Sequence, residues 1–426
     1  MRRLALLLAI AVMPVVAAAS NADAASGCGF PGRTWAKRAP SAVHLDAAKL
    51  QDALDFASQH TSVTVLVLRH GCLAGASRLD AITSKVKVDG WSMTKSVTAL
   101  VTGRAVTLGK LDIDRPIAKL VPEADRAHGA LTPRHLLTMS SGTHLNWLRD
   151  LNPAMPDRVR DALSLGFDHE PGTYWEYQQS PVTLLAEVVR RAVGARDLQA
   201  WAQQELFAPI GIARSDWSWQ RDRAGHTEGW AHLEMVSPAW ARLGTLVLHR
   251  GTWAGRRLIS SDYMRQMTSS SKANHAYGFL TWLNGRDTYV MPGTNGRDAG
   301  RGTLIASAPR DTIIFAGQNE QRTYVIPSLD MVVVRLGHNG SHDLDFRRSV
   351  WTGKSGQLDN ELMRMLMLAV TDVRMSDPGP YRGSSFVAPS FEPDTVPGSA
   401  RDPVQVLAGA GIGPAAPASC TPAGCS

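Results

Sequence analysis

The stretch "KVDGWSMTKSVTALVTGRAV", residues 87 to 106, sets Ser92 three residues before Lys95, at the point where an extended segment gives way to an apolar helix. Val97, Leu100, Val101, Ala105 and Leu108 recur at helical spacing, and Gly109 ends the run. Two readings compete for Ser92. It is either a helix N-cap, a common use of Ser, or a reactive hydroxyl sharing one helix face with a Lys at i+3. A Ser hydroxyl is a poor nucleophile until a base takes its proton, and Lys is such a base only where its pKa is lowered. The helix start adds free backbone N–H groups and a dipole that favour an oxyanion. A lone SxxK is weak, so the rest of the chain must decide.

Upstream, Ala47 to Ala57 reads as an amphipathic helix, and "SVTVLVLRHGCLAGAS" as two strands joined at Arg69-His70-Gly71. Between residues 115 and 250 the pattern becomes mostly helical, with starts at "LTPRHLLTM", "SPVTLLAEVVRRAVG" and "SPAWARLGTLVLHRG". From Tyr277 the period changes to that of strands: "YGFLTWL", "TLIASA", "TIIFAG", "RTYVIP" and "DMVVVRLG", the last pair joined by a tight turn at Pro327 to Asp330. A helix over Leu358 to Val373 follows, and a Pro- and Gly-rich tail from 376 reads as irregular. Strands at both ends with helices between them predict an α+β fold, one antiparallel sheet flanked by helices with an inserted helical subdomain. Residues 25–114 and 251–375 are expected to form the sheet domain, 115–250 the insert carrying Tyr177, and 376–426 the tail.

At the N-terminus, Arg2 and Arg3, the apolar run Leu4 to Val16 and the small residues up to Ala24 have the plan of a secretory signal peptide. The run is roughly 13 residues, short of the roughly 20 needed to span a bilayer. Export of a periplasmic or secreted protein, with no stable membrane insertion after cleavage, is therefore expected. The four cysteines allow three pairings, of which Cys28–Cys72 with Cys420–Cys425 is preferred. The formal charge of +7 is spread along the chain without a basic block, which gives no support to nucleic-acid binding.

A second chemical signal is "EPGTYWEYQQSPVTLLAEVV", with Tyr177 in a loop directly before a helix, where a hydroxyl can project into a cleft and relay a proton. In the order "WSMTKSVTALVTGRAV", "LTPRHLLTMSSG", "PGTYWEYQQSPVTLLAEVV" and "RTYVIPSLDMVVVRLG", the chain resembles the serine β-lactamase-related hydrolases. That group holds class C β-lactamases, DD-peptidases, SxxK esterases and 6-aminohexanoate-dimer hydrolases. The resemblance implies a β-lactamase/transpeptidase-like fold, Ser92 as nucleophile, Lys95 as its base and Tyr177 as proton relay.

The chain departs from the family's pattern twice. Its Tyr-x-Asn motif is here Tyr177-Gln178-Gln179, in which Gln179 keeps an amide donor and acceptor but reaches one methylene further, so a substrate amide held by the shorter residue would be held differently. Its Lys-Thr-Gly motif, counted back from the Pro-containing hairpin, falls on Phe315-Ala316-Gly317, with the Gln318 N–H as second oxyanion donor. His338-Asn339-Gly340, after the last strand, and Lys354-Ser355-Gly356, before the final helix, are decoys: neither begins an edge strand with a hairpin after it, and both read as loops. Losing the cation weakens the case for β-lactamase or DD-peptidase activity and, since some esterases of the family carry an aromatic there, favours a neutral small-molecule ester or short amide. The rival readings are a 6-aminohexanoate-dimer-like amidase, a weak β-lactamase or DD-peptidase, and a non-catalytic penicillin-binding-like module. Trp230, in the segment His226 to Met235 with His232 and Glu234, is a candidate pocket residue. No metal pattern is completed there, no cofactor is expected, and the insertion Asn284 to Gly302 reads as a loop.

Overall fold

The computed structural model describes residues 27–60, 62–152, 154–286, 288–292, 299–337, 353–381 and the short strand pair 420–421 with 424–425. The expected signal peptide, the decoy at 338–340 and most of the tail lie outside these residues, as do the side chains of the expected Cys420–Cys425 bridge.

A hairpin begins the sheet. Asp46 caps helix α1 (Ala47–Gln59) by accepting the N–H groups of Ala48 and Lys49. β1 (Ser62–Arg69) then turns through His70 (φ 52°) and Gly71 (φ 72°) into β2 (Cys72–Ala76). Two successive left-handed residues are what a two-residue hairpin turn of primed type requires. A side chain at 71 would also meet Gly29 O at 2.5 Å, which is why only Gly fits. The expected Cys28–Cys72 disulfide is present and ties the N-terminal segment to this turn.

The chain next forms β3 (Val88–Asp89) and α2 (Met93–Thr107), the helix of the Ser92 motif. Unlike a surface helix, α2 is buried all round from Met93 to Ala105. Each fully buried Val or Leu on it contributes about 1.5–3 kcal/mol. The inserted region contains α3 (Ser180–Ala192), preceded by short helical turns, and then two strands, β4 (Trp217–Trp219) and β5 (Leu233–Met235). With β3 they form a three-stranded sheet in the order β3-β5-β4. Segments of two or three residues are too short to show a period, and sequence reasoning missed this sheet. Helix α4 (Ser237–Leu248), read by sequence as part of the insert, lies on the main sheet, with Gly244 against Val332 and Thr323.

The chain returns through β6 (Trp282–Leu283), β7 (Ile313–Gly317), β8 (Gln321–Ile326) and β9 (Met331–Gly337) to a terminal helix, α5 (Gly353–Ala369). The six strands run β2-β1-β9-β8-β7-β6, all neighbours antiparallel. Leu66 pairs with Val334, so the two ends of the chain close one sheet, as the α+β reading expects. Helices α1 and α5 pack together over one face, and α4 and α2 cover the other.

Three expectations change. "TLIASA" is not a strand, because Asn284 and Asn360 side chains bind its backbone: Ile305 N donates to Asn284 Oδ1 and Ala306 N to Asn360 Oδ1. Of "YGFLTWL" only Trp282–Leu283 joins the sheet, since Phe279 N and Leu280 N donate to Met267 O and Leu137 O instead. The last helix starts before Leu358 and stops at Ala369, where Ala369 O accepts Asp46 N and Val370 bridges Leu45. Gly356 and its neighbours at 354 and 355, expected as a loop ahead of that helix, lie in its first turn instead.

Gly244→Val is expected to lower the unfolding free energy by about 1–3 kcal/mol, because the added methyls would enter a filled space between helix and sheet. The Cβ alone would meet Val332 Cγ1 at 2.8 Å. A denaturant melt with an unchanged midpoint would show that α4 is not seated this way.

Candidate active site

Ser92 does not serve α2 as a capping side chain. It occupies the N-cap position of α2, yet its side chain makes no capping hydrogen bond and its backbone is already helical (φ −67°, ψ −6°). Its hydroxyl faces Lys95 instead: Lys95 Nζ lies 3.0 Å from Ser92 Oγ and 4.6 Å from the centroid of the Tyr177 ring, whose phenol feels the Ser92 side chain. The three groups separated by 85 residues in the chain therefore meet at one point.

The turn leading into Ser92 is held from several sides. β3 pairs with β5, so Asp89 lies opposite Glu234. Asp89 Oδ1 accepts the Trp91 N–H at 2.7 Å, and Oδ2 is 2.8 Å from His232 Nδ1. Gly90 fits flat against Trp240, whose ring a Cβ would meet at 2.3 Å. Trp91 sits at φ 47°, a conformation costly for a bulky residue and found where surrounding structure imposes it. The result is a sharp corner that presents Ser92 at the head of a rigid buried helix.

Lys95 is 1% exposed. Its Nζ has three neighbours: Ser92 Oγ at 3.0 Å, Gln179 Oε1 at 2.6 Å and Trp230 O at 3.0 Å. The last two are carbonyl oxygens and accept only. A neutral amine has two N–H donors and one lone pair, so donation to Gln179 and Trp230 leaves the lone pair directed at the Ser92 hydroxyl. Burial holds the Lys95 pKa well below its ordinary value; nearby Asp150 opposes this and Arg158 adds to it. Tyr177 moves the other way. Burial pushes its phenol above the usual range, only partly offset by the Ser92 hydrogen bond and Arg322, so it remains a protonated donor.

Gln179 stands where α3 begins. Both carboxylate oxygens of Asp150 accept its N–H at 2.9 Å, and Oδ1 also accepts that of Ser180 at 3.1 Å. Burial raises the Asp150 carboxyl to about 6, against the opposing effect of Arg158. Arg158 is itself buried, donating to Asp150 O and packing its guanidinium 4.6 Å from the Trp230 ring. Sequence reasoning missed Asp150 and Arg158, since neither lies in a motif and only the fold brings them under Lys95. Gln178 is structural, taking Ser141 and Thr143 hydroxyls on its Oε1.

Other candidates occupy definite places. Phe315 is fully buried on β7, opposite Thr323, and is no part of an open wall. Gly317 ends the same strand against Gly90, whose carbonyl oxygen a Cβ would meet at 2.1 Å. The strand counted as the third motif thus lies beside the Ser92 corner, with Gln318 next in the chain. Among the described residues, neither the Ser92 nor the Gln318 N–H has a backbone acceptor outside its own turn or strand. Trp230, expected to line a pocket, is buried and reaches Lys95 through its backbone carbonyl. His226 is apart, with Asp157 and Asp222; the oxygens of Asp222 accept the His226 and Arg158 backbone N–H groups. A sheath of aromatic rings, Trp175, Tyr277 and Trp282, packs around Tyr177.

The family model for Beta-lactamase matches residues 48–352. The chain belongs to the Beta-lactamase family. Among curated relatives of this family member, esterase EstB of Burkholderia gladioli is 28% identical over 220 residues, covering 42% of this chain and 54% of that protein. The chain thus spans about half the length of that relative. A solved β-lactamase of Mycobacterium bovis superposes with a TM-score of 0.54 at 17% identity, over 75% of this chain and 99% of that one. EstCE1, a hydrolase with promiscuous acyltransferase activity, gives a TM-score of 0.54 at 16% identity, over 75% and 98%. At such identities these two establish the β-lactamase/transpeptidase-like fold. Together with the family match, they make this a protein of the Beta-lactamase family with the β-lactamase/transpeptidase-like fold.

Because the Asp150 carboxylate raises the Lys95 pKa, Asp150→Asn is expected to lower it further. The rate at which a fluorophosphonate labels Ser92 should rise with pH as Lys95 deprotonates, and in the variant that rise moves to lower pH. A shift to higher pH, or no pH dependence, would show that Lys95 is not the titrating group.

Proposed function

We propose that this protein is an exported serine hydrolase that cleaves a neutral small-molecule ester, or a short amide, through an acyl-enzyme on Ser92. The observation carrying the reading is the coordination of Lys95 Nζ, whose two carbonyl acceptors leave only a lone pair for the Ser92 hydroxyl. Lys95 takes the Oγ proton as Ser92 Oγ bonds to the substrate carbonyl carbon. The oxygen, now an oxyanion, accepts hydrogen bonds from the N–H groups of Ser92 and Gln318. The carbonyl re-forms as the bond to the leaving oxygen or nitrogen breaks, and the proton passes from Lys95, by way of the Tyr177 hydroxyl, to that leaving atom. Water then repeats the sequence: it loses a proton to the same relay, attacks the acyl carbon, and releases the acid and the Ser92 hydroxyl. No metal or organic cofactor enters any step.

Substrate charge follows from the third motif. With Phe315 buried at the position of the third motif's usual cation, that strand offers no charge to a carboxylate, which favours neutral esters over β-lactams and D-Ala-D-Ala peptides. Export is supported by the basic-then-apolar N-terminal segment and by the Cys28–Cys72 disulfide, a bond that persists in oxidising compartments.

Short p-nitrophenyl esters should turn over and a chromogenic cephalosporin should not, with a fluorophosphonate labelling Ser92 by intact mass. Ser92→Ala should abolish labelling and turnover, and Lys95→Arg, which keeps a positive charge at all accessible pH, should reduce kcat/KM by about 10²–10⁴. Full esterase activity in Ser92→Ala would overturn the mechanism. Stoichiometric acylation without release would instead favour the non-catalytic binding module.

A further inference from the structure

Behind the Ser92 corner lies a group of buried charges that the mechanism above does not use. Arg322 on β8 and Arg335 on β9 are cross-strand neighbours, 0% and 1% exposed. Two guanidiniums side by side in a protein interior repel each other and forfeit their hydration, so such a pair persists only where strong partners hold it. Arg322 has Asp359 of α5, whose Oδ2 accepts its Nε at 3.2 Å and its Nη2 at 2.9 Å, while Oδ1 accepts the Tyr324 hydroxyl. Arg335 has the Glu320 carboxylate 4.0 Å away.

What the two side chains grip in common is a backbone. Arg322 Nη1 donates to Gly317 O at 2.6 Å and to Gln321 O at 3.0 Å. Arg335 Nη1 donates to Asn319 O at 2.8 Å and to Glu320 O at 2.9 Å. The remaining carbonyl, Gln318 O, accepts the Gln321 N–H. Four of the five carbonyl oxygens from Gly317 to Gln321 are thus held by the two arginines, and the fifth is satisfied within the turn. The turn they belong to needs holding, because Asn319 (φ 59°) and Glu320 (φ 56°) are successive left-handed residues and neither is Gly. In a trans peptide the C=O and the following N–H point in opposite directions. Fixing Gly317 O on Arg322 therefore turns the Gln318 N–H away from the buried charges, on the strand end that abuts Gly90 beside Ser92.

We infer that Arg322, Arg335 and Asp359 are positioning residues that hold the strained Gly317–Gln321 turn so that the Gln318 N–H faces the oxyanion. The cation absent from position 315 is in effect replaced by one under the turn, acting on the backbone donor and not on the substrate. This inference rests on the hydrolase reading given above.

The test compares an oxygen ester with its thionoester, whose sulfur accepts hydrogen bonds poorly, with rates normalised to fluorophosphonate-titrated Ser92. Wild type should prefer the oxygen ester by roughly 10²–10³, the worth of an oxyanion donor. Arg322→Lys, which loses the forked grip, and Asp359→Asn, which loosens Arg322 without removing it, should each lower kcat for the oxygen ester by about tenfold or more with little change in KM. The thionoester rate should change little, so the preference collapses. Leu54→Ala on α1 supplies a destabilised control in which the preference stays at the wild-type value. Equal losses on both esters in whichever of the two variants folds would overturn the inference while leaving the hydrolase reading intact. Absence of Ser92-dependent turnover in wild type would overturn both.

Discussion

An amine buried among carbonyls is the constraint around which this molecule is arranged. Charged, Lys95 would forfeit hydration worth on the order of several kcal/mol, and among the described residues no carboxylate touches its Nζ. Neutral, it satisfies the same three neighbours at no such cost, and its lone pair is then available to Ser92. The protonation state that burial favours is the one that acyl transfer needs. For that reason α2 must be buried on every side and not merely along one stripe, and its N-terminus must still reach the edge of the sheet.

The surroundings keep that balance from tipping too far. Asp150 is close enough to raise the Lys95 pKa and is itself tamed by Arg158 and by the N–H groups that open α3. Gln179 depends on the same capping, since Asp150 fixes the backbone from which its side chain reaches Lys95. Gln179, at the position where the family's shorter amide is expected to hold substrate, here has its Oε1 on Lys95 Nζ. On the other side, the Ser92 corner relies on β3, a two-residue strand whose Asp89 holds the Trp91 N–H and His232 together.

The sheet supplies the second half of the site. Because β1 pairs with β9, residues from both ends of the chain form one rigid layer, and β7 brings Gly317 against Gly90. The buried arginines on β8 and β9 belong to that layer, and their partner Asp359 comes from the final helix. Elements remote from Ser92 in sequence thereby bear on the backbone next to it.

What could be read without coordinates was whatever carries a local signature. The sequence by itself determined the apolar helix after Ser92 and the hairpin at His70-Gly71, because period and turn chemistry are properties of neighbouring residues, while the order of strands and helices predicted one sheet closed across the insert and the family resemblance pointed to Ser92, Lys95 and Tyr177. It failed at "TLIASA", where Asn side chains 20 and more residues away take the backbone hydrogen bonds, and at β3, β4 and β5, which are too short to show a period. Only tertiary structure decided that Gln179 and Trp230 turn toward Lys95, that Asp150 and Arg158 set its electrostatics, and that Phe315 is buried while two arginines hold the turn after it. Charge state and hydrogen-bond partnership depend on burial and on contacts between distant segments, and those quantities do not exist until the chain has folded.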